Sequence, residues 1–159
     1  MNVFAGKIAL VTGAAQGIGR LIAKGLAARG CHVIVVDMKG EEAQAVAAEL
    51  HAFGVKAWSF QLDIADTNAI AALKAKVHTE IGRIDMLVNN AGVVFGGTFE
   101  SVPLEKHLLT YQVNTMGLMA LTHAFFGDLL GGQDTHLVNI ASAAGYIGLP
   151  YGSSYASSK

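Results

Sequence analysis

Near the end of the chain, three side chains have types and a spacing suited to moving a proton. Tyr155 and Lys159 are four residues apart, so on a helix they share one face. A nearby ammonium favours the phenolate form of a tyrosine, which makes Tyr155 a candidate general acid/base. Ser142 precedes this pair at the end of a predicted strand. An exposed helical pair of no chemical importance is the alternative.

A glycine-rich turn near the start of the chain suits phosphate binding. The segment TGAAQGIG, residues 12–19, lies between a predicted strand and a predicted helix. We expect Gly13 to permit the tight turn, Gly17 to let the backbone approach a pyrophosphate, and Gly19 to allow close packing of helix on strand. Free N–H groups at the helix start would face the phosphates. The spacing is G-x-x-x-G-x-G rather than G-x-G-x-x-G, and a purely structural turn is the alternative.

Acidic residues follow two later strands. Asp37 ends an apolar run, where its carboxylate could accept both hydrogen bonds of an adenosine ribose diol and would repel a 2′-phosphate. Neither Gln16 nor Met38 is positively charged, and Lys39 has an acid two residues before it, so NAD is favoured over NADP. Asp63 could meet the adenine amino group, although an Asp at a strand end is also common in turns.

The elements that must position these residues alternate between strands and helices. Apolar runs predict strands at residues 7–11, 33–36, 56–61, 85–88 and 136–141. Helical spacing predicts helices over residues 18–29, from about 43 toward 54, from a cap at 66 to 82, from 103 to 130, and from 152 onward. This order is typical of an α/β fold with a doubly wound, Rossmann-like parallel sheet and helices on both faces. We expect a single domain over residues 1–159.

In such a sheet, the candidate residues meet at one edge. The segment NNAG, residues 89–92, follows the fourth predicted strand, where its carboxamides could form a turn or brace neighbouring strands. The glycine turn, Asp37, Asp63, NNAG and Ser142 therefore lie at the carboxyl ends of successive strands, where open parallel sheets bind their ligands. A dinucleotide site explains this arrangement better than a set of unrelated turns does.

Composition narrows the class of protein. Hydrophobic residues make up 52% of the chain and charged residues 14%, which suits a sheet buried on both faces. The net charge is −1 without a basic run, so neither nucleic acid nor a membrane surface is an expected partner. The six histidines are scattered without metal-ligand spacing, so we expect them to be structural or on the surface, with no metal site. We expect a soluble cytoplasmic protein, because no apolar run reaches membrane-spanning length and the first residues lack a signal peptide's apolar segment.

The combined motifs resemble the short-chain dehydrogenase/reductase family. TGAAQGIG, NNAG, VNTMG, NIASAAG and YASSK occur in that family's order and spacing over the whole chain. The resemblance implies that Tyr155 exchanges a proton with the substrate oxygen, while Lys159 binds the nicotinamide ribose and favours the tyrosinate. It also implies that Ser142 hydrogen-bonds the substrate carbonyl and that Asn114 holds a water in a proton relay at a helix kink. Asn90 would support the sheet beside the cofactor.

The expected function is reversible hydride transfer between NAD(H) and a secondary alcohol or ketone. The predicted catalytic residues are Asn114, Ser142, Tyr155 and Lys159. The predicted cofactor-binding residues are Gly13, Gln16, Gly17, Ile18, Gly19, Asp37, Asp63, Ile64, Asn90, Ala91 and Gly92, with Tyr155 and Lys159. A noncatalytic dinucleotide-binding module, derived from the family by truncation, is the alternative. The intact proton-transfer residues argue against it.

Three further expectations concern the surroundings of the site. Apolar residues near Ser142 and after NNAG predict a hydrophobic substrate, these residues being Ala143, Ala144, Tyr146, Leu149, Tyr151, Val93, Val94 and Phe95. Apolar residues around the helix between Asn114 and Leu130 predict a homodimer or homotetramer. Because family members continue past YASSK, and because the fifth strand would otherwise be an open edge, we expect the chain to be a portion of a longer polypeptide.

Overall fold

Five parallel strands form one sheet in the computed structural model, which describes residues 2–159. The strands are β1 (Ile8–Thr12), β2 (His32–Asp37), β3 (Ala57–Gln61), β4 (Met86–Asn89) and β5 (His136–Asn139). Their order across the sheet is β3-β2-β1-β4-β5. The chain therefore winds outward in one direction from β1 to β3 and in the other from β4 to β5. The crevice between β1 and β4 is the switch point at which such sheets bind ligands.

Helices cover both faces of the sheet, which confirms the predicted fold class. They are α1 (Gly17–Ala27), α2 (Gly40–Leu50), α3 (Thr67–Glu80), α4 (Leu104–Tyr111), α5 (Leu118–Leu130) and α6 (Ser153–Ser158). Alternate strand residues point to opposite faces. Ala9 and Val11 pack in one core with α1 and α2, whereas Leu10 packs in the other core with α3 and α5.

The predicted cap of α3 is confirmed. The Asp66 carboxylate accepts hydrogen bonds from the backbone amides of Asn68 (2.9 Å) and Ala69 (3.1 Å). These are N–H groups that the first turn of the helix cannot pair internally. The cap fixes where α3 begins, and it thereby fixes the loop from Asp63 that follows β3.

The predicted helical stretch over residues 103–130 is confirmed, since the chain is helical from Leu104 to Leu130, but the spacing did not reveal a change of helix type within it. A π-helical turn, Gln112–Gly117, separates α4 from α5. A π turn adds a residue to one turn without ending the helix, so continuous helical spacing in the sequence does not reveal it. The predicted strand over residues 136–141 was too long, because β5 ends at Asn139.

The fifth strand forms one edge of the sheet in this part of the chain. Leu137 and Val138 are 41% and 38% exposed, in contrast to the fully buried strand residues at the centre of the sheet. Among the helices of residues 2–159, none has both the length and the apolar character needed to cross a bilayer.

Candidate active site

A cleft of about 460 Å³ opens at the carboxyl ends of β1 to β4. Its lining contains the predicted cofactor-binding residues other than Gly19, Tyr155 and Lys159. Apolar side chains complete the wall. Val93 and Met38 were already considered in the sequence, whereas Val36, Leu62, Leu109 and Val113 were not. Val36 and Leu62 directly precede the two acidic residues already selected, so a local signal existed for them. Val113 likewise directly precedes Asn114, whereas Leu109 in α4 carries no such signal.

The glycine turn leaves room for a phosphate. Gly17 has φ +56°, and a Cβ built there would meet nothing within 4 Å, so the space in front of the turn is open. At Gly19 the opposite holds, because a Cβ would lie 2.2 Å from the carbonyl oxygen of Gly13. One glycine therefore gives access to the backbone and the other permits close packing. These residues fit the pyrophosphate of a dinucleotide.

Thr12 and Asn90 hold the glycine turn against the loop after β4. The Thr12 hydroxyl oxygen accepts hydrogen bonds from the amides of Asn90 and Ala91, each at 3.0 Å. The Asn90 side-chain amide donates to the carbonyls of Thr12 (2.9 Å) and Gly13 (3.1 Å). Thr12 was not among the predicted site residues, although it begins the TGAAQGIG motif.

Asp37 has acceptor capacity left for a ligand. One carboxylate oxygen accepts from the Ala15 amide and the other from the Lys39 amide, each at 3.0 Å. An ionised carboxylate offers about four acceptor positions, so about two remain for a ribose diol. The Lys39 ammonium donates to the Gln16 side-chain oxygen at 3.0 Å, which places a positive charge on the cleft lining. At Asp63, a carboxylate oxygen accepts from the Ala65 amide at 2.9 Å, as in a turn.

Lys159 and Asn114 meet at Gly92. The Lys159 ammonium donates to the carbonyl of Ile140 at 3.1 Å. A Cβ built at Gly92 would lie 3.2 Å from the Lys159 nitrogen and 3.2 Å from the Asn114 side-chain oxygen. Because Gly92 also lines the cleft, two predicted catalytic residues lie where the predicted cofactor site ends.

Asn114 lies in the π turn, and 2% of its surface is exposed. Its side-chain oxygen accepts from the Val93 amide (2.8 Å), and its nitrogen donates to the Val93 carbonyl (2.9 Å) and to the Ser158 hydroxyl (2.9 Å). Both donors of the amide are thus in use, and one acceptor position remains.

Ser142 begins a turn that packs on α6, the helix that carries Tyr155. The Ser142 hydroxyl oxygen accepts from the Ala144 amide at 3.2 Å and caps a 3-10 turn, Ala143–Gly145. A Cβ at Gly145 would lie 2.7 Å from the carbonyl carbon of Lys159, so this turn packs on the end of α6. Within residues 2–159, no hydrogen bond joins the Tyr155 hydroxyl to Ser142 or Lys159.

The fold and the cleft together define a dinucleotide-binding α/β protein of the Rossmann-like class. The chain belongs to the short-chain dehydrogenase family, because the sequence model described as short chain dehydrogenase matches residues 7–159. This family consists of oxidoreductases that bind NAD or NADP.

Relatives of known structure and activity agree with this assignment. The chain is 36% identical over 154 residues to 2,3-dihydro-2,3-dihydroxybenzoate dehydrogenase of Bacillus subtilis, a match that covers 97% of this chain and 59% of that protein. A short-chain dehydrogenase/reductase from Burkholderia phymatum in complex with NAD superposes with a TM-score of 0.93 at 30% identity, over 99% of this chain and 57% of that one. An alcohol dehydrogenase from Thermococcus sibiricus complexed with 5-hydroxy-NADP gives 0.89 at 28% identity, over 96% and 65%. The chain thus spans between half and two thirds of the length of these proteins.

Proposed function

We propose that the full-length protein transfers a hydride between NAD(H) and a secondary alcohol or ketone, with Tyr155 as the general acid/base. The observation that carries this proposal is the meeting of Lys159 and Asn114 at Gly92, which also lines the cleft. It supports one site in which Lys159 and Asn114 act beside the proposed cofactor-binding residues. A module that only binds a dinucleotide has no need of that juxtaposition.

The proton chemistry is assigned to this chain's own side chains. The nicotinamide supplies or accepts the hydride when it is bound. In reduction, Tyr155 gives its hydroxyl proton to the substrate oxygen, and in oxidation it takes the proton back. Ser142 can donate a hydrogen bond to the same oxygen, because its own oxygen accepts from the Ala144 amide and its hydroxyl proton is free. Lys159 would hold the nicotinamide ribose. The free acceptor position of Asn114 would bond the relay water.

We further propose that NAD(H) is preferred over NADP(H). Asp37 supports this preference, since its two remaining acceptor positions suit a ribose diol and its charge opposes a 2′-phosphate. The Lys39 ammonium acts in the other direction, because it would attract that phosphate. Asp37 is the stronger influence in our proposal, since a diol can bond it directly whereas Lys39 is already bonded to Gln16.

A hydrophobic substrate is supported by the two loops beside the catalytic residues. The Gly97 amide donates to the Tyr151 carbonyl at 3.0 Å, so the loop after β4 lies against the loop before α6. Both loops carry mainly apolar side chains, with Val94, Leu149 and Tyr151 exposed. An apolar wall favours an apolar alcohol or ketone over a charged sugar. Faster turnover of phosphorylated sugars than of apolar ketones would contradict this assignment.

A homodimer or homotetramer is supported by the apolar side chains exposed on the α4 to α5 stretch. Leu121 and Phe125 face the sheet and are fully buried, so they are not available to a partner. Met116, Met119 and Phe126 are between 46% and 61% exposed. Exposed apolar surface of this kind marks interfaces between proteins, and we propose a second copy of the same chain as the partner.

The central test is oxidation of NADH and NADPH by the full-length protein with a panel of carbonyl compounds. Tyr155→Phe should keep cofactor binding and lose nearly all turnover, because the removed oxygen acts chiefly in the transition state. Tyr151→Phe is the matched control, since it keeps the apolar ring of the proposed substrate wall and removes only a hydroxyl that has no proposed part in the proton transfer. Cofactor binding without turnover of any carbonyl or alcohol would favour the noncatalytic module instead. Substantial activity in Tyr155→Phe would refute the assignment of the proton transfer.

A further inference from the structure

Side-chain hydrogen bonds join the helical stretch from α4 through the π turn to α6 in three steps, which are His107 to Ser154, Tyr111 to Ser157 and Asn114 to Ser158. We propose that His107 is a positioning residue for the reaction: by holding Ser154, it sets where the neighbouring Tyr155 lies. This inference rests on the proposed function, in which Tyr155 transfers the proton.

His107 is a buried side chain with both ring nitrogens engaged. It is 9% exposed, and its ring stacks on that of Phe99, with centroids 4.6 Å apart and an interplanar angle of 29°. Its Nε2 is 3.0 Å from the Phe99 carbonyl oxygen, and its Nδ1 is hydrogen-bonded to the Ser154 hydroxyl. A carbonyl can only accept, so Nε2 carries the proton. In the neutral ring, Nδ1 then accepts from Ser154. The sequence alone gave this histidine only a structural or surface role.

Ser154 is the point at which α6 is buried. It is the one residue of Ser153–Ser158 that is less than a tenth exposed, and its side chain is polar. No apolar side chain of α6 is buried, so directed hydrogen bonds must fix the helix. The bond from His107 acts on the first turn, directly beside Tyr155. A shift of that turn would move the phenol relative to substrate, and catalysis is sensitive to displacements of about 1 Å.

His107 also connects α6 to the loop after β4. Its bond to the Phe99 carbonyl and its stacking on the Phe99 ring fix the loop residue, while its bond to Ser154 fixes the helix. The loop after β4 is also bonded to the loop that leads into α6, through the Gly97 amide and the Tyr151 carbonyl. His107 thus holds the proposed substrate wall and the proton-transfer helix at a set separation, without touching the reacting atoms itself.

The test compares three substitutions of His107 in the full-length protein. His107→Phe keeps a planar ring for stacking and removes both hydrogen bonds. His107→Asn retains an amide group near the position of Nδ1 for Ser154, and His107→Gln retains one near Nε2 for the Phe99 carbonyl. We expect kcat to fall about 10- to 100-fold in His107→Phe while the Kd for NADH changes less than about twofold. His107→Asn should recover most of the loss, and His107→Gln should recover little.

Ser154→Ala is the second variant, since it removes the same bond by a smaller change and avoids a loss of folding. Its effect on kcat should match that of His107→Phe, and the double variant should be no worse than either alone. Unchanged kcat in folded His107→Phe would overturn the proposal. The proposal would also be overturned if His107→Phe lowered kcat, the affinity for NADH and the melting temperature together and His107→Asn restored none of them. Amide exchange in α6 separates this outcome from failure of the proposed function. An inactive wild-type enzyme would refute the function, while faster exchange in both variants would still support the positioning contact and unchanged exchange would refute it.

Discussion

The side chain of Asn114 is hydrogen-bonded to both backbone polar groups of Val93. Its oxygen accepts from the Val93 N–H at 2.8 Å, and its nitrogen donates to the Val93 C=O at 2.9 Å. The amide therefore pairs with the loop after β4 as a neighbouring strand would. Because the same nitrogen donates to Ser158, one side chain holds that loop, the π turn and α6 together.

Replacing Asn114 by alanine should therefore impair both the proton relay and the loop. We expect kcat to fall at least about 100-fold, the lower end of what a positioned proton-transfer group contributes. Stability should fall by about 1–3 kcal/mol, because the backbone groups of Val93 lose their partner. Steady-state kinetics and thermal melting of the full-length enzyme provide the measurement.

Thr115→Val is the matched control for Asn114→Ala. The Thr115 hydroxyl makes only a 3.4 Å contact with the Ser158 carbonyl, so its removal should change kcat little. A kcat for Asn114→Ala within about twofold of wild type would contradict the relay, whatever its effect on melting.

Local signals were sufficient to predict the sheet and one side of the site. The strands are continuous apolar runs, and their order follows from the rules for parallel crossovers. Once that order is known, the residues that follow each strand must lie at one edge, which is why Gly13, Asp37 and Asn90 could be placed together. The cap at Asp66 was also predictable, because the backbone amides that it accepts from are only two and three residues away in the sequence.

Contacts between residues distant in the sequence were not predictable. The π turn leaves the helical spacing of apolar residues intact, so that spacing does not distinguish it from an uninterrupted helix, and only the family resemblance implied a kink at Asn114. The bonds of His107 span 8 residues in one direction and 47 in the other, and neither partner has a distinctive type. The cleft residue Leu109 was unpredictable for a similar reason, because only the packing of α4 brings it to the cleft.

The cofactor preference should depend on Asp37. The wild-type enzyme is expected to favour NADH over NADPH by about 2–4 kcal/mol, since hydrogen bonds to charged groups are worth about 1.5–3 kcal/mol each. Asp37→Asn keeps the shape and removes the charge, so it should weaken NADH binding and relieve the repulsion of NADPH. Titration of both cofactors against both proteins is the measurement.

Lys39→Met provides the complementary control for the cofactor experiment. Removing the ammonium that donates to Gln16 should weaken NADPH and leave NADH nearly unchanged, because only the 2′-phosphate would gain from that charge. Equal or tighter binding of NADPH by the wild-type enzyme would show that Lys39 outweighs Asp37.

A buried carboxylate beside the start of β4 should make the protein less stable at acid pH. Asp128 in α5 is 3% exposed and accepts hydrogen bonds from the Ile84 amide (3.0 Å) and from His78 of α3 (2.9 Å), with Lys74 at 3.6 Å. Burial alone would raise the pKa of this carboxyl, but the Ile84 amide, His78 and Lys74 together hold its pKa below the usual value of 3.8. The carboxylate thus joins α3, α5 and the start of β4.

The sign of the pH effect follows from that lowered pKa. The stabilisation is fully present above the unfolded pKa, near 4, and is lost as the pH falls through the lower folded pKa. Asp128→Asn should reduce stability at neutral pH by about 1.5–3 kcal/mol and should flatten the acid dependence. Melting temperatures of both proteins between pH 2 and pH 7 (roughly the range over which carboxyl groups titrate) provide the comparison.

Glu49→Gln serves as the surface control for Asp128→Asn. The pKa of Glu49 is also lowered, by hydrogen bonds from Arg20 and Lys24, but this carboxylate lies in an exposed ion-pair network where stabilisation is small. Its replacement should leave the acid profile nearly unchanged. If Glu49→Gln and Asp128→Asn shifted the profile equally, the buried network would not be the cause of acid sensitivity.

Assembly should depend on the exposed apolar side chains of α4 and α5. Leu108 and Phe126 are 54% and 46% exposed and lie on the stretch that also carries the contacts to α6. In a two-fold interface each substitution acts twice, so Leu108→Glu and Phe126→Glu should shift the full-length protein to monomers at micromolar concentration. If the interface braces α6, kcat should fall with dissociation while the Kd for NADH is retained. Light scattering, with kinetics over a dilution series, measures both effects.

Leu21→Glu on α1 is the matched control for a new surface charge on the assembly. Leu21 is 69% exposed, and the variant should remain oligomeric. A wild-type protein that is monomeric with full activity would exclude the interface.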